Sequence, residues 1–284
     1  MNPLWLARNL ARSWANRSSV SDFARRMAWI YSAKLPRFAR RHHWDIAFRY
    51  PAPIGEIRLR VRDNSGADAF IHSEVFEQEA YKFEQVTSPS TILDLGANAG
   101  YSTIYFSRTY PAAAVACVEP IHANVAVLSK NLEMNEVRAS VFEAAVDSMD
   151  GQLSMELASL DYGHRVLPPS SSASSESIQV VSISVPSLLK TLGWERIGLL
   201  KVDIEGHERI VLTQNNEWLH RVDALCVEWH DELGERVLHE LALRFGFSGP
   251  KIRCGVWILT RAPVAPNPFA LDSFDSPRSH REAP

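Results

Sequence analysis

The chain has 284 residues, 46% of them hydrophobic, and a formal net charge of −3. This is the composition of an ordinary globular protein, and the length is enough for one large α/β domain with extensions. No apolar run approaches the roughly 18 residues of a transmembrane helix, and the N-terminus lacks the apolar segment of a signal peptide. We therefore expect a cytoplasmic protein.

The cysteines agree with that location. Cys117, Cys226 and Cys254 each lie in an apolar, strand-like run, and no two of them form a C-x-x-C pair. This usage predicts buried free thiols in a reducing compartment, with neither a disulfide framework nor a zinc site.

The N-terminal segment is strongly basic. Residues 1–50 contain ten Lys and Arg but two acids, so they carry +8 and the rest of the chain carries −11. Leu6, Leu10 and Trp14 form an amphipathic helical stripe, with arginines such as Arg26 on the polar side. Two alternatives stay open: a helical cap packed on the domain, or an arm that contacts a partner or the inner face of an anionic membrane. No recognised motif supports nucleic-acid binding.

Strands alternate with helices through the middle of the chain. Strands are predicted over 54–62, 91–95, 113–119, 141–146, 152–157, 178–183, 197–202 and 222–228, with two closing strands in 247–260. Helices are predicted over 72–86, 101–109, 124–134, 184–192, 209–214 and 232–245. Asp150-Gly151 predicts a hairpin between the strands on either side of it. The alternation predicts an α/β fold with a mostly parallel sheet and helices on both faces.

These elements suggest three segments. Residues 1–52 are the basic helical extension, and residues 53–262 form the α/β domain. Residues 263–284 are rich in Pro and Ser without periodicity, which predicts a disordered tail. Within the domain, the Pro-Pro and Ser-rich stretch 158–177 predicts a mobile loop.

One strand-turn-helix segment organises the domain. An apolar run ends in Asp94, and Gly96, Asn98 and Gly100 follow in a turn before the helix that begins at Tyr101. Glycines at such a turn let backbone approach a ligand closely, and Asn tolerates the left-handed region. The turn predicts a nucleotide-type site beyond the end of this strand.

An acidic residue stands at the end of every predicted main strand. Because carboxyl ends of parallel strands share one edge of a sheet, these acids should lie near the same ligand. Glu119 ends the second strand, where a carboxylate can accept from both ribose hydroxyls of an adenosine. Asp147 ends the third, where it would either accept from an adenine amino group or cap a hairpin. The other strand-end groups are Asp203, Glu205, His207, Glu208, Glu228, His230 and Asp231.

The turn lacks the chemistry of a phosphate site. Residues 91–107 contain no Lys, Arg or His, and they form neither a Gly-x-x-x-x-Gly-Lys pattern nor a G-x-G-x-x-G turn. Asp94, beside the turn, would repel a pyrophosphate.

 A ligand with an adenosine, a sulfonium and an ammonium group, as in S-adenosylmethionine, suits such a site better than a dinucleotide.

In these features the chain resembles the FkbM-type family of S-adenosylmethionine-dependent methyltransferases. The resemblance covers about residues 66–260, and it rests on the segments Asp94-Leu-Gly-Ala-Asn-Ala-Gly-Tyr101, Val118-Glu-Pro120, Asn131 with Asn135, Ala144-Ala-Val-Asp147 with Asp150-Gly151, and Leu200-Lys-Val-Asp-Ile-Glu-Gly-His-Glu208. It implies a seven-stranded Rossmann-like class I methyltransferase fold and transfer of a methyl group to an oxygen of a sugar, polyketide or related metabolite. In one departure, Pro186 stands where the family usually has an Asp.

As a hypothesis, the chemistry of the strand-end residues gives each of them a role in methyl transfer. The methyl donor would contact Asp94, Gly96, Asn98, Gly100, Tyr101, Glu119, Pro120 and Asp147. Lys201 needs a charged partner in an apolar strand, and Asp203 would orient the acceptor hydroxyl beside the donor. The base would be Glu205, His207, Glu228 or His230, directly or through a divalent metal ion. Glu208 fits a carboxylate at a helix N-terminus.

The acceptor is expected under two segments that flank the sheet edge. Tyr81 and the predicted helix 72–86 would form one side, and Tyr162, His164 and Arg165 in the mobile loop would form the other. The expected acceptor is a small molecule or glycan.

Two other function classes compete with this prediction. A nicotinamide-dependent oxidoreductase would need a turn that accepts pyrophosphate, and Asp94 with Asn98 argues against it. A non-catalytic protein that docks on a membrane or partner would tolerate a degenerate turn or missing acids, and the sequence shows neither.

Overall fold

The computed structural model describes residues 11, 14–31, 43–64, 66–157, 165–166 and 177–261. The tail 263–284, most of the predicted loop 158–177 and residues 1–10 lie outside the described residues. The helices are α1 (Val20–Ile30), α2 (Ala67–His72), α3 (Tyr101–Thr109), α4 (His122–Met134), α5 (Val185–Leu192), α6 (Glu208–Thr213) and α7 (Gly234–Phe245). The strands are β1 (His43–Arg49), β2 (Glu56–Arg62), β3 (Thr91–Leu95), β4 (Ala114–Val118), β5 (Ala139–Phe142), β6 (Ala145–Asp147), β7 (Gly151–Glu156), β8 (Arg165–Val166), β9 (Ser177–Ser184), β10 (Leu199–Val202), β11 (Ala224–Glu228), β12 (Lys251–Arg253) and β13 (Val256–Thr260).

The central sheet has seven strands in the order β12-β13-β11-β10-β3-β4-β5. Strands β11, β10, β3, β4 and β5 are parallel, and β13 and β12 close the sheet in antiparallel pairs. Alternate residues of a strand face opposite sides, so Ile92 packs on one side with α3 and α4 and Leu93 on the other with α5, α6 and α7. The predicted Rossmann-like α/β fold is confirmed.

A second, four-stranded sheet corrects the prediction for residues 141–157. The predicted strand 141–146 is two strands, because β5 ends the central sheet whereas β6 belongs to the sheet β6-β9-β7-β8. The hairpin predicted at Asp150-Gly151 is wrong, since β9 lies between β6 and β7. Asp150 instead accepts from the Ser184 amide (2.7 Å) and the Ser187 hydroxyl (2.6 Å), at the start of α5.

The helix predicted over 72–86 is also wrong in its bounds. Helix α2 begins after Gly66, which adopts a left-handed φ of 96°, and it continues as a π-helical turn over Ser73–Glu77. Glu79 then takes a left-handed φ of 49°, which ends helical geometry. Tyr81 therefore lies in an irregular segment and is buried.

The N-terminal extension is only partly helical. Residues 43–49 form β1, which pairs antiparallel with β2, so the predicted boundary between residues 52 and 53 falls inside a hairpin. In β2, Ile57, Leu59 and Val61 are buried at alternate positions, and this period of two is that of a strand.

Helix α1 packs on this hairpin. Asp22 accepts from the Ala47 amide at 3.3 Å, and the Trp29 indole donates to the Arg62 carbonyl at 2.8 Å. Arg26, expected in solvent, is buried and pairs with Glu77 at 2.5 Å. Over residues 20–30 the extension is therefore a cap on the domain.

Two asparagines at the C-terminal end of α4, Asn131 and the C-cap Asn135, bind the free edge of β2. Asn131 accepts from the Arg60 amide (2.6 Å) and donates to the Arg60 carbonyl (3.3 Å). Asn135, one turn later, accepts from the Arg58 amide (2.9 Å) and donates to the Arg58 carbonyl (2.6 Å). The pair substitutes for a neighbouring strand and attaches the hairpin to the domain.

We expect Asn131→Ala to lower the free energy of unfolding by about 1 to 3 kcal/mol, because it leaves backbone groups of Arg60 unpaired under α4. Urea denaturation measures this loss. Glu133→Ala, on the exposed side of the same helix, is the control and should change the free energy by less than about 0.5 kcal/mol. Equal stability of the two variants would contradict the role given to Asn131.

The cysteines differ from the prediction at one position. Cys117 and Cys226 are buried thiols, but Cys254 is exposed at the β12–β13 turn. Among the described residues, no helix is long and apolar enough to cross a membrane.

Candidate active site

A cleft of about 290 Å³ opens at the carboxyl ends of the parallel strands. Its walls include most of the residues predicted for the site: Gly96, Asn98, Tyr101, Glu119, Pro120, Lys201, Asp203, Glu205, His207, Glu228 and His230. Three predicted residues do not line it, namely Asp94, Gly100 and Asp147. The parallel strands thus bring Glu119, Asp203, Glu205 and Glu228 to one cleft. Asp94 and Asp147, which were predicted there too, lie outside its wall, and Asp147 ends a strand of the second sheet.

Gly96 lets the turn after β3 touch the end of β10. Its φ is 79°, and a Cβ atom at this position would lie 1.7 Å from the Asp203 carbonyl oxygen. Gly100 is in the left-handed region as the N-cap of α3, with φ of 83°. Glycine at both positions allows the left-handed backbone, and at Gly96 it also allows the close approach to Asp203.

Asn98 holds the turn from the opposite side. Its backbone is left-handed, with φ of 47°, and its side-chain oxygen accepts from Arg62 at 2.7 Å. Arg62 is itself buried in an ion pair with Asp68 at 2.6 Å, and Tyr101 donates to the same carboxylate at 3.1 Å. Sequence reasoning missed this network, since Arg62 and Asp68 lie outside the motif and gave no signal.

Glu119 lies on the floor of the cleft and is 4% exposed. It accepts from the amides of Asn98 (2.9 Å) and Ile121 (3.0 Å) and from the Asn124 side chain (3.0 Å). Burial raises the pKa of Glu119 above its ordinary value, although these hydrogen bonds and Arg62 oppose the rise. The carboxylate is fixed in position and still borders the cleft.

Asp94 and Lys201 form a buried pair beneath the turn. Lys201 Nζ lies 3.1 Å from Asp94 Oδ1 and donates to the Gly96 carbonyl at 2.8 Å. Asp94 also accepts from the hydroxyls of Ser102 and Thr103, both at 2.7 Å. Burial alone would lower the pKa of Lys201, but the two neighbouring carboxylates raise it above its ordinary value. Asp94 was expected to face a cationic ligand, and its full burial corrects that expectation: it shapes the turn from below.

Asp203 and Glu228 lie side by side at the edge. Val202 pairs with Val227 in parallel register. The next residues, Asp203 after β10 and Glu228 at the end of β11, are therefore neighbours. Burial, together with the charges of Asp203 and Glu74, raises the pKa of Glu228 to about 8. Glu74, which sequence reasoning missed, enters the cleft wall from the π-helical turn, and burial and Asp203 raise its pKa as well.

His230 is oriented by Glu208. His230 Nδ1 lies 2.9 Å from Glu208 Oε1, and Nε2 lies 3.6 Å from Glu205 Oε2. The same Glu208 oxygen accepts from the amides of Ile204 and Gly206, each at 3.1 Å. Burial would lower the pKa of His230, but Glu208, Asp203 and Glu205 raise it to about 9.

His207 and Asp147 form a second pair, with Nε2 and Oδ1 3.0 Å apart. Asp147 also accepts from the Ser148 amide at 2.7 Å. The Asp147 carboxylate thus faces His207. His207 lines the cleft, whereas Asp147 does not.

The outer rim of the cleft is mostly apolar. Phe70, Ile71 and Tyr81 form one side, and Met155 and Val166 form the other. Arg165 is exposed and outside the wall, whereas Tyr162 and His164 lie outside the described residues.

Comparison with known proteins identifies the chain. The family model of the methyltransferase FkbM domain matches residues 94–248. The protein belongs to this family. The match spans β3 to the end of α7, which includes the turn and every strand-end acid of the cleft.

The chain is similar to two named methyltransferases and to one solved structure. Methyltransferase 1 from Beauveria bassiana is 27% identical over 192 residues, covering 58% of this chain and 75% of that protein. The 31-O-demethyl-FK506 methyltransferase FkbM from Streptomyces tacrolimicus is 25% identical over 209 residues, covering 61% and 80%. A T. thermophilus 16S rRNA N2 G1207 methyltransferase, solved with AdoMet and guanosine, has a TM-score of 0.41 and 15% identity, covering 78% of this chain and 52% of that one.

Family membership decides between the function classes left open by the sequence. The chain is a methyltransferase of the FkbM family with a class I fold. A nicotinamide-dependent oxidoreductase and a non-catalytic docking protein are no longer needed to explain the turn.

Proposed function

We propose that this protein is an S-adenosylmethionine-dependent O-methyltransferase that acts on a hydroxyl group of a small molecule such as a sugar or a polyketide. The observation that carries the proposal is the position of Glu119, buried on the cleft floor beside the glycine turn. A carboxylate in that position accepts from the two hydroxyls of a ribose.

The residues present fit this methyl donor. Gly96 lines the cleft where the turn touches the Asp203 carbonyl, and Asn98, Tyr101 and Pro120 form the adjoining wall. Among the described residues of the wall, Lys201 is the sole Lys or Arg and is engaged by Asp94. A pyrophosphate would therefore lack a cationic partner. S-adenosylmethionine would supply a methyl group on a sulfonium. The sulfur is a good leaving group, so the transfer needs no covalent help from the protein.

The acceptor hydroxyl is placed at the acidic edge. Asp203 would accept a hydrogen bond from the hydroxyl and fix its direction. Glu228 would take the proton as the oxygen bonds to the methyl carbon, while the bond from that carbon to sulfur breaks and S-adenosylhomocysteine leaves. The pKa of His230, about 9, lies above that of Glu228, about 8. Glu228 therefore becomes available as a base at the lower pH of the two. His207, paired with Asp147, lies on the donor side.

The rim and the charge of the cleft support the acceptor class. Phe70, Ile71 and Met155 offer apolar contacts, and the carboxylates disfavour phosphorylated acceptors. The name of the Streptomyces tacrolimicus relative refers to a 31-O-demethyl compound, which supports an oxygen as the methylated atom.

Calorimetric titration tests the donor. We expect S-adenosylhomocysteine to bind with micromolar affinity and NAD not to bind, since the turn offers no partner for pyrophosphate. Binding of NAD alone, or of neither compound, would contradict the proposal.

We expect Glu228→Gln to lower kcat/KM for a hydroxyl acceptor by about 100- to 10,000-fold, because the amide accepts no proton. Transfer of a labelled methyl group from the donor measures this loss. Binding of S-adenosylhomocysteine should be unchanged, since Glu228 lies on the acceptor side. Glu232→Gln, an exposed position four residues further on, serves as the control and should keep full activity.

A further inference from the structure

We propose that Asp203, Glu205 and His230 bind a divalent metal ion at the acidic edge of the cleft. Metal binding requires neither donor nor acceptor, so it can be measured apart from the proposed function. Three observations carry the site: the spacing of the donor atoms, the orientation of the imidazole and the local excess of negative charge.

The donor atoms are close enough to share one ion. One carboxylate oxygen each of Asp203 and Glu205 and one ring nitrogen of His230 all lie within 4.8 Å of one another. An ion with bonds of about 2.0 to 2.4 Å spans donors up to about 4.8 Å apart. Two carboxylates and an imidazole suit Mn²⁺ and similar ions, and three ligands leave positions open toward the cleft.

The imidazole is aimed by a residue outside the ligand set. Glu208 is 1% exposed and receives the Nδ1 hydrogen of His230 at 2.9 Å. Nε2 consequently faces Glu205. A carboxylate that holds the far nitrogen of a histidine is the usual support of a metal ligand, and the amides of Ile204 and Gly206 fix that carboxylate in turn.

The charge at this edge also favours a cation. The carboxylates of Glu74, Asp203, Glu205 and Glu228 all border the cleft. Lys201 lies 3.4 Å from Asp203 but already pairs with Asp94 at 3.1 Å. A divalent ion would offset the remaining repulsion, and it would lower the pKa of an acceptor hydroxyl bound to its open face.

Titration of the full chain with Mn²⁺ after chelator treatment tests the site. We expect about one ion to bind per chain. Calorimetry and the electron paramagnetic resonance signal of free Mn²⁺ measure this binding. His230→Gln and Glu205→Gln should each weaken binding by more than about 10-fold, and Glu208→Gln by about 10-fold through loss of orientation. His122→Gln removes an exposed histidine that pairs with Glu143 at 3.0 Å, and it should leave binding unchanged.

Binding weaker than about 1 mM, or equal binding by the site variants and the control, would overturn the metal site. If a site variant fails to fold, spin-echo modulation of Mn²⁺ in the unsubstituted protein decides: coupling to an imidazole nitrogen is expected, and its absence overturns the site. Loss of Mn²⁺ binding with intact S-adenosylhomocysteine binding would count against the metal alone, and the reverse result against the proposed function alone.

Discussion

Lys201→Met should lower the free energy of unfolding by about 3 to 5 kcal/mol, because it leaves the buried Asp94 carboxylate without its cation. Lys201 is 2% exposed and Asp94 is fully buried. The same variant loses the hydrogen bond to the Gly96 carbonyl, so it should also weaken donor binding. Urea denaturation and calorimetric titration measure the two effects.

A second variant separates the effect of losing the ion pair from the effect of changing the packing of the lysine side chain. Asp94→Asn combined with Lys201→Met removes both charges, and we expect the double variant to be more stable than Lys201→Met alone. Lys130→Met, at a partly exposed pair with Glu133, should cost less than about 1 kcal/mol. A cost that small for Lys201→Met would show that the buried pair does not hold the turn.

The affinity for S-adenosylhomocysteine should decrease as the pH is lowered, because Glu119 becomes protonated. Burial raises the pKa of this carboxyl in the free protein, and the nearby positive charge of Arg62 opposes the rise. The ionised form accepts from the ribose hydroxyls, so affinity is full above that raised pKa and is lost as the pH falls through it. The loss should begin at a higher pH than an ordinary glutamate would give.

Glu119→Gln tests the assignment. The amide keeps the shape but accepts at one oxygen only, and we expect a loss of affinity of about 10- to 100-fold, with no dependence on pH in the same range. Titrations of both proteins at several pH values measure it. Glu143→Gln, at an exposed carboxylate, should behave as the unsubstituted chain. An unchanged pH profile in Glu119→Gln would assign the titration to another group.

The sequence by itself determined the sheet and the location of the site. Glu119, Asp203 and Glu228 each lie at the end of an apolar strand, and parallel strands bring such positions to one edge of the sheet. The glycine turn was equally readable, because Gly96 and Gly100 stand where no side chain is tolerated. These features are local or follow from strand direction, so periodicity and spacing suffice to predict them.

Only the tertiary structure decided which groups face the ligand. Asp94 precedes the turn in sequence, yet Lys201 from a neighbouring strand draws it under the cleft floor, and Arg62 from the hairpin holds Asn98. Glu74 enters from a π-helical turn that the helical period does not reveal. Each of these contacts joins residues distant in the chain, and side-chain direction there depends on packing and ion pairing, which no local pattern encodes.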